Sequence, residues 1–355
     1  MKILFIGDYQ KIHSILARAL RARGHQADVV SGPDGNGSIR LNPPSGLLGG
    51  MTYLYRLMQM LPRLSGYDVV QVDHPEYFSL RPGRLAYITR RLEESNGKLF
   101  LTAMKPDFFY VDACRKGEMF RFSPFRTGKD KTPLTDCTPE AEYSQLGGDR
   151  RDYVRWFHTR IAGVAAASPE TQAIFEAVRG REIPALPAPR PVAAAPERRR
   201  SGKVQLVVPG SWNDDLLYGR DLLRHLAERL AAEMPDDCAL VKGSLAAADP
   251  ERPVIMFDNC NSYAPGPHAL DAMAAGCVAV GGAQPEYAAF LGADPAEVPT
   301  VCAAPDNEEA LEEELRRLIA SSQLLEERGE AGREFMRRYH EADAVAARLE
   351  KILAG

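Results

Sequence analysis

MKILFIGDYQKIHSILARALRARGHQADVV, residues 1–30, decides the fold. Lys2 to Ile6 reads as an apolar strand, and the run breaks at Gly7-Asp8 before it reaches the length of a secretory signal core. Ile12, Ile15, Leu16 and Leu20 then recur at three- and four-residue spacing, on one face of a helix that Gly24 stops. Ala27 to Val30 is a second strand. A strand, helix and strand this closely spaced form a βαβ unit, with parallel strands and a right-handed crossover.

The rhythm continues outward. A helix around Tyr53 to Leu61, a strand Asp68 to Val72, a helix carrying Leu85, Ile88 and Leu92, a stop at Gly97 and a strand Lys98 to Ala103 extend a doubly wound α/β domain. Between Lys105 and Gly148 the periodicity fails. Phe108, Phe109, Tyr110, Phe120, Phe122 and Phe125 mix there with Arg115, Lys116, Arg121, Arg126, Lys129 and Lys131, which predicts a long functional loop on the acceptor side of a site. A helix near Tyr153 to Ile161, a strand Gly163 to Ala167 and the helix start Ser168-Pro169 follow.

LPAPRPVAAAPERRRSG, residues 186–202, reads as a linker that buries nothing, its Arg198 to Arg200 run either solvated or touching anionic lipid. A second α/β domain follows, with strands Val204 to Val208, Cys238 to Val241, Val254 to Phe257, Cys277 to Val280 and Val298 to Cys302. Its helices are Leu216 to Ala232, Pro267 to Ala275 and Asn307 to Ala320, the last opened by an Asp306/Glu309 capping box. A tail from Leu324 to Leu353 is helical and broken near His340-Glu341. The expected divisions are an acceptor-side domain 1–187, a linker 188–202, a donor domain 203–338 and a helix 339–355 that crosses back.

Composition narrows the function. The 355 residues are 45% hydrophobic and 26% charged, which suits two medium globular domains. A net charge of −4 supplies no basic field for counterion release, so nucleic acid is not expected as a partner. Cys114, Cys137, Cys238, Cys260, Cys277 and Cys302 are too widely spaced for metal-ligand pairs and read as reduced thiols of a cytoplasmic protein. No window approaches the roughly 18 apolar residues of a membrane span, so the expectation is a soluble protein or one peripheral to the inner membrane face.

Two such domains leave a cleft between the carboxyl ends of their sheets, where open α/β sheets hold ligands. The first βα turn, GDYQKIH, lacks the Gly-x-Gly-x-x-Gly of a nicotinamide site, and no Walker-A loop is present. Asp214-Asp215 lacks Asp-x-Asp spacing and reads as a helix cap, so no metal is expected. Residues 262–292, SYAPGPHALDAMAAGCVAVGGAQPEYAAFLG, feed a Gly-Pro turn into a small-residue helix whose amino end aims N–H groups at the cleft, suited to a diphosphate.

Asp271-Ala-Met-Ala-Ala-Gly276, the strand Cys277 to Val280 and Gly281-Gly-Ala-Gln-Pro-Glu286 resemble the donor-binding region of family-four retaining glycosyltransferases. Met1 to Val30 looks like that family's opening unit and Gly163 to Glu170 like its strand with Ser-x-x. Gly7-Asp8-Tyr9 and Asn261-Ser262-Tyr263-Ala264-Pro265 are similar in part to a Bacteroides-type subgroup. The resemblance implies the GT-B fold, two Rossmann-like domains facing a central cleft, and sugar transfer with retention from a nucleotide diphosphate sugar, without a cofactor. The family's first Glu falls at Tyr263, its second is shortened to Asp271, and its Arg and Lys align near Asp214 and Tyr218.

On this reading Asp271 accepts ribose hydroxyls, against the plainer reading of a solvated helix acid. Arg220 and Lys242 neutralise the leaving diphosphate or are surface cations, and His268 donates to a phosphate or caps its helix. Tyr263 and Trp212 contact sugar or base, or pack. Gly7, Ser211, Ser262, Gly266 and Glu286 complete the expected donor site. His74 and Asp107 position the acceptor or take its proton, or serve the fold. The acceptor is a glycan or lipid-linked glycan. Two rivals stand beside the transferase: a nucleotide-sugar epimerase, and a non-catalytic nucleotide-sugar or glycan-binding protein.

Overall fold

The computed structural model describes every residue except 33–36, 42–45, 79, 125, 128–131, 134–146, 195–200, 211–217 and 355. The first half runs β1 (Lys2–Ile6), α1 (Ile12–Ala22), β2 (Gln26–Ser31), β3 (Ile39–Arg40), α2 (Gly46–Met60), β4 (Val69–Val72), α3 (Pro82–Ser95), β5 (Lys98–Ala103) and α4 (Phe108–Lys116). A two-stranded ribbon, β6 (Arg126–Thr127) and β7 (Thr132–Pro133), precedes α5 (Gly148–Arg160), β8 (Gly163–Ala166) and α6 (Pro169–Arg179). The second half runs β9 (Val204–Val208), α7 (Arg220–Glu233), β10 (Cys238–Lys242), β11 (Val254–Phe257), α8 (Pro267–Ala274), β12 (Val278–Gly281), α9 (Pro285–Leu291), β13 (Val301–Cys302), α10 (Glu308–Ile319), α11 (Ser322–Tyr339) and α12 (Ala342–Ala354).

The first sheet has the order β3-β2-β1-β4-β5-β8, and each pairing is parallel. The second, β10-β9-β11-β12-β13, is parallel as well. Both are covered on two faces, which is why their strands are mostly apolar, interrupted by buried polar residues such as Gln71, Thr102 and Gln205. In β1, Leu4 and Ile6 face the layer of α2, α3 and α5, whereas Ile3 and Phe5 face α1 and α12. In the second sheet Leu206 and Val208 pack under α7 and α10, and Val207 and Met256 under α8. Strand order reverses between β1 and β4 and between β9 and β11. Those two switch points place the ligand crevice.

Four expectations change. The aperiodic stretch after Lys105 contains α4, capped by the Asp107 side chain at its start and by Gly117 in a left-handed conformation at its end. Val111, Cys114, Phe120 and Phe122 are buried with Tyr263 and Ala304 of the second lobe, so these residues bridge the lobes, a role the acceptor-side reading did not give them. The connecting segment is not a bare linker. Leu186 and Arg190 are buried, the Arg190 N–H donates to His340 O (2.8 Å) and the Ala193 N–H to Ala274 O (3.0 Å). Residues 195–200, with the arginine run, lie outside the described residues. Finally, Asn307 rather than Asp306 is the N-cap of α10, without a side-chain cap bond, and the Asp306/Glu309 box is not formed.

Candidate functional site

The crevice at the two switch points is a cavity of about 350 Å³ between the lobes. Its first-lobe wall begins at the turn after β1. Gly7 has φ +88, and a Cβ there would overlap the Asp73 carboxylate, so glycine is needed twice over. Gln10 and Lys11 also carry positive φ, a strain that non-glycine residues keep only where the surroundings hold it. Asp73 braces the start of the turn, accepting from the Tyr9 N–H (3.1 Å) and pairing with Lys105 Nζ (3.2 Å), and the Lys11 N–H donates to Asp8 O (3.1 Å). His13 donates Nδ1–H to Gly7 O (2.8 Å), and burial pushes its pKa down, opposed by Asp73.

Three cations from distant positions line the cavity: Lys105 after β5, Arg190 in the connecting segment and Arg220 at the start of α7. Arg190 is buried, with its Nη2–H on Gln10 Oε1 (2.8 Å) and Nε against Asp271 Oδ1 (3.0 Å). Burial lowers its pKa while Asp271 raises it, and a guanidinium keeps its charge at neutral pH. Arg220 donates Nε–H to Asp258 O (3.0 Å), lies over the Tyr218 ring, and places Nη2 3.6 Å from Asp258 Oδ1, an ion pair too long for a hydrogen bond.

Asp258 is fully buried, and burial raises its pKa against the opposing pull of His268, the Ala269 N–H and Arg220. Its Oδ2 accepts from the Ala269 N–H (3.1 Å), so the amino end of α8 already holds one carboxylate. The helix was expected to offer that end wholly to a ligand; instead Asp258 shares it. A Cβ on Gly266 would sit 2.5 Å from Asp258 Oδ2, which explains the glycine there.

The other expected residues divide. Ser262 and Gly266 line the cavity with Arg220. Asp271 stands on α8 with a side chain 57% exposed and one oxygen on Arg190. Glu286 is exposed in the first turn of α9, and His268 is half-buried beside Asp258. Ser211, Trp212, Asp214 and Asp215 lie outside the described residues.

Four readings are corrected. Lys242 ends the edge strand β10, exposed and paired with Glu228 (3.6 Å), and does not line the cavity. Tyr263 does not face the cavity: its ring stacks on Phe122 (4.8 Å between centroids) and its Oη accepts from the Arg121 N–H (2.8 Å). His74 is buried with Nε2 on Pro106 O (3.1 Å) and Nδ1 accepting from the Glu76 N–H (3.1 Å), leaving no nitrogen for an acceptor proton. Asp107 caps α4 through Oδ1 (3.1 Å from Tyr110 N) and meets His158 Nε2 through Oδ2 (3.2 Å).

Sequence reasoning passed over Arg190, Lys105 and Glu170. Glu170, in the first turn of α6, is buried, and its Oε1 accepts from both the Tyr263 N–H (2.7 Å) and Ser262 Oγ (2.8 Å). It ties the loop after β11 to the first lobe. Among the described residues no three His, Cys, Asp or Glu side chains cluster as metal ligands, and no helix is long and apolar enough to cross a membrane.

No protein-family model matches the chain, and no curated protein matches it. Solved structures do. A sucrose-phosphate synthase from Thermosynechococcus elongatus is similar over 100% of this chain and 98% of its own, with a TM-score of 0.58 at 15% identity. Anabaena HepE, in complex with UDP, is similar over 100% of both chains (TM-score 0.57, 14% identity). An α-glucosyltransferase in complex with UDP and a DNA 13-mer is similar over 100% of both (TM-score 0.61, 8% identity). These neighbours are glycosyltransferases, and the likeness, spanning the whole chain, shows that this protein has the GT-B fold.

Proposed function

We propose that this GT-B protein is a glycosyltransferase that takes a sugar from a nucleoside diphosphate sugar, in the manner of family-four retaining enzymes. The observation that carries the reading is the convergence of Lys105, Arg190 and Arg220 on one interlobe cavity at both switch points. Charge fixed in advance at the cavity wall stabilises the diphosphate that departs. The bond from the anomeric carbon to the diphosphate oxygen breaks, a bond to the acceptor oxygen forms, and the acceptor's proton passes to the diphosphate. That route requires neither His74 nor Asp107 as a base. The UDP named with HepE and with the α-glucosyltransferase makes a uridine nucleotide the first candidate.

The acceptor in this proposal is a glycan or lipid-linked glycan, with no nucleic acid partner, no metal and no cofactor beyond the donor. Calorimetric titration with uridine, guanosine and thymidine diphosphates, with and without magnesium, tests it. Binding of one of them without the ion, followed by turnover of the matching nucleotide sugar, is the expected result; no binding to any of the three overturns the reading. One observation favours a second reading, a non-catalytic binder: where the family pattern has its first Glu, Tyr263 is committed to packing on Phe122. Binding without transfer or hydrolysis would select it.

A further inference from the structure

Helix α2 has two apolar faces. Tyr53 and Leu57 are buried against the first sheet, together with Leu64 just beyond the helix. At 3.6 residues per turn, Met51, Tyr55 and Met58 form a second stripe, rotated by nearly half a turn from the buried one. They are 68%, 64% and 38% exposed. Met51 and Tyr55 are the two most exposed large apolar side chains among the described residues, and they stand one turn apart. Scattered exposed apolar residues need no explanation, but a stripe on the outer face of a packed helix is a contact surface.

The charge on α2 and its flanks is of one sign. From residue 35 to residue 67 the sequence has no Asp or Glu, although the whole chain carries −4, and Arg56 and Arg63 flank the stripe. Tyr87, on α3 in the same helix layer, is 48% exposed, with Arg81 and Arg84 exposed one turn before it. Arg56, Arg63, Arg81 and Arg84 form no ion pair among the described residues, whereas Arg91, Arg150 and Arg160 each meet a glutamate. Arg81, Arg84 and Arg150, with Asp149 as the one acid, line a shallow depression where the amino ends of α3 and α5 come together, an excess of positive charge. Both helices run against the sheet, so this end of the layer is the cleft-side rim.

We propose that the outer face of the α2–α3 layer docks on an anionic phospholipid surface, with Met51, Tyr55 and Met58 inserted between headgroups and the unpaired arginines on lipid phosphates. Apolar insertion beside cations that lack protein partners is the chemistry of an interfacial helix. A protein partner of this face would be expected to bring acids to meet the arginines and would leave neutral and anionic vesicles indistinguishable. The proposal is independent of the sugar-transfer reading, and it gives a lipid-linked acceptor a surface from which to enter the cleft.

The test is co-sedimentation of the full chain with vesicles of phosphatidylcholine alone or mixed with phosphatidylglycerol, at low and at raised salt. The wild type should bind only the anionic vesicles and be released by salt. Met51→Ser with Tyr55→Ser should lower partitioning roughly tenfold or more, the ratio that corresponds to losing one partly buried apolar side chain. Arg81→Glu with Arg84→Glu should abolish the preference for anionic lipid. All four side chains are exposed, so thermal unfolding should be unchanged and serves as the folding control. Absence of binding, equal binding to neutral vesicles, or wild-type partitioning by both variants would overturn the proposal. A dimer in sedimentation velocity that Met51→Ser with Tyr55→Ser dissolves would reassign the face to self-association and overturn it too.

Discussion

Acid should weaken the fold through His340, at the break between α11 and α12. Its Nδ1–H donates to Ala188 O (2.8 Å) in the connecting segment, and its Nε2 accepts from Tyr287 Oη (2.7 Å) on α9. The Tyr287 bond needs a neutral ring, because an imidazolium has no lone pair for the tyrosine, whereas the bond to Ala188 O survives protonation. Burial, assisted by Arg190 and Arg348 and opposed by Ala188, lowers the pKa from 6.5 to about 4. The unfolded chain therefore takes up the proton first. The contribution is complete above the unfolded value and is lost as pH falls from about 6.5 to about 4. At about 1.4 kcal/mol per pKa unit the loss is about 3 kcal/mol. His340→Gln retains a donor for Ala188 and an acceptor for Tyr287 but does not titrate. Urea unfolding of both proteins at about pH 7.5 and about pH 4 should show the wild type losing about 3 kcal/mol more than the variant. Other titrating groups cancel in that difference. Parallel losses, or an imidazole proton signal of His340 that titrates near its unfolded value, would refute the reasoning.

Asp271→Ala should weaken nucleotide binding by roughly 1 to 3 kcal/mol, through the lost ribose acceptor and the loosened Arg190, and unchanged affinity by calorimetry would remove Asp271 from the site. Glu170→Gln should cost about 1 to 2 kcal/mol of stability by weakening two charge-assisted bonds to the loop after β11, and should widen the interlobe distance in solution scattering; an unchanged profile would mean that other contacts hold the lobes. Arg220→Met should cost about 3 kcal/mol or more, since it leaves the Asp258 carboxylate buried without its counter-charge. Because the pKa of Asp258 is raised in the fold, its protonated form is the one that the fold favours, so the deficit should shrink as pH falls. A deficit that grows in acid would contradict the pairing.

The two sheets were legible because strands buried on both faces are mostly apolar, as β1 and β11 are, and β4 keeps that pattern despite its buried Gln71. Helix α4 was hidden because Phe108-Phe109-Tyr110 fills successive positions with aromatics: Phe108 packs into the first-lobe core while Phe109 and Tyr110 support the interlobe cluster. The usable signal was at its ends, where Asp107 and Gly117 bracket a helix without interrupting any period. Arg190 was hidden for a different reason. A proline-rich run satisfies no local pattern, and its burial depends on Gln10, Asp271 and His340, each remote in sequence.

The site shows the same limit in sharper form. Residue type and position pointed to Ser262, Gly266 and Arg220, and all three line the cavity, because topology sends those loops to the crevice. They did not show which side chains the protein itself consumes. Tyr263 sits one residue from Ser262, yet the bends through residues 260–264 turn it to Phe122 of the first lobe. His74 and Asp107 follow strands at the same crevice, but each has its polar atoms bound by the neighbouring backbone or by His158. Lys105 and Arg190 are held too, and they differ in kind: Asp73 fixes the lysine and Asp271, Gln10 and the Pro189 carbonyl fix the guanidinium at the cavity wall, and neither cation has all of its N–H groups in those bonds. A two-lobed site of this type is therefore read best from its cations. A guanidinium has five donors and can brace the fold and meet a diphosphate at once, whereas a tyrosine hydroxyl or an imidazole used by the fold has little left to give.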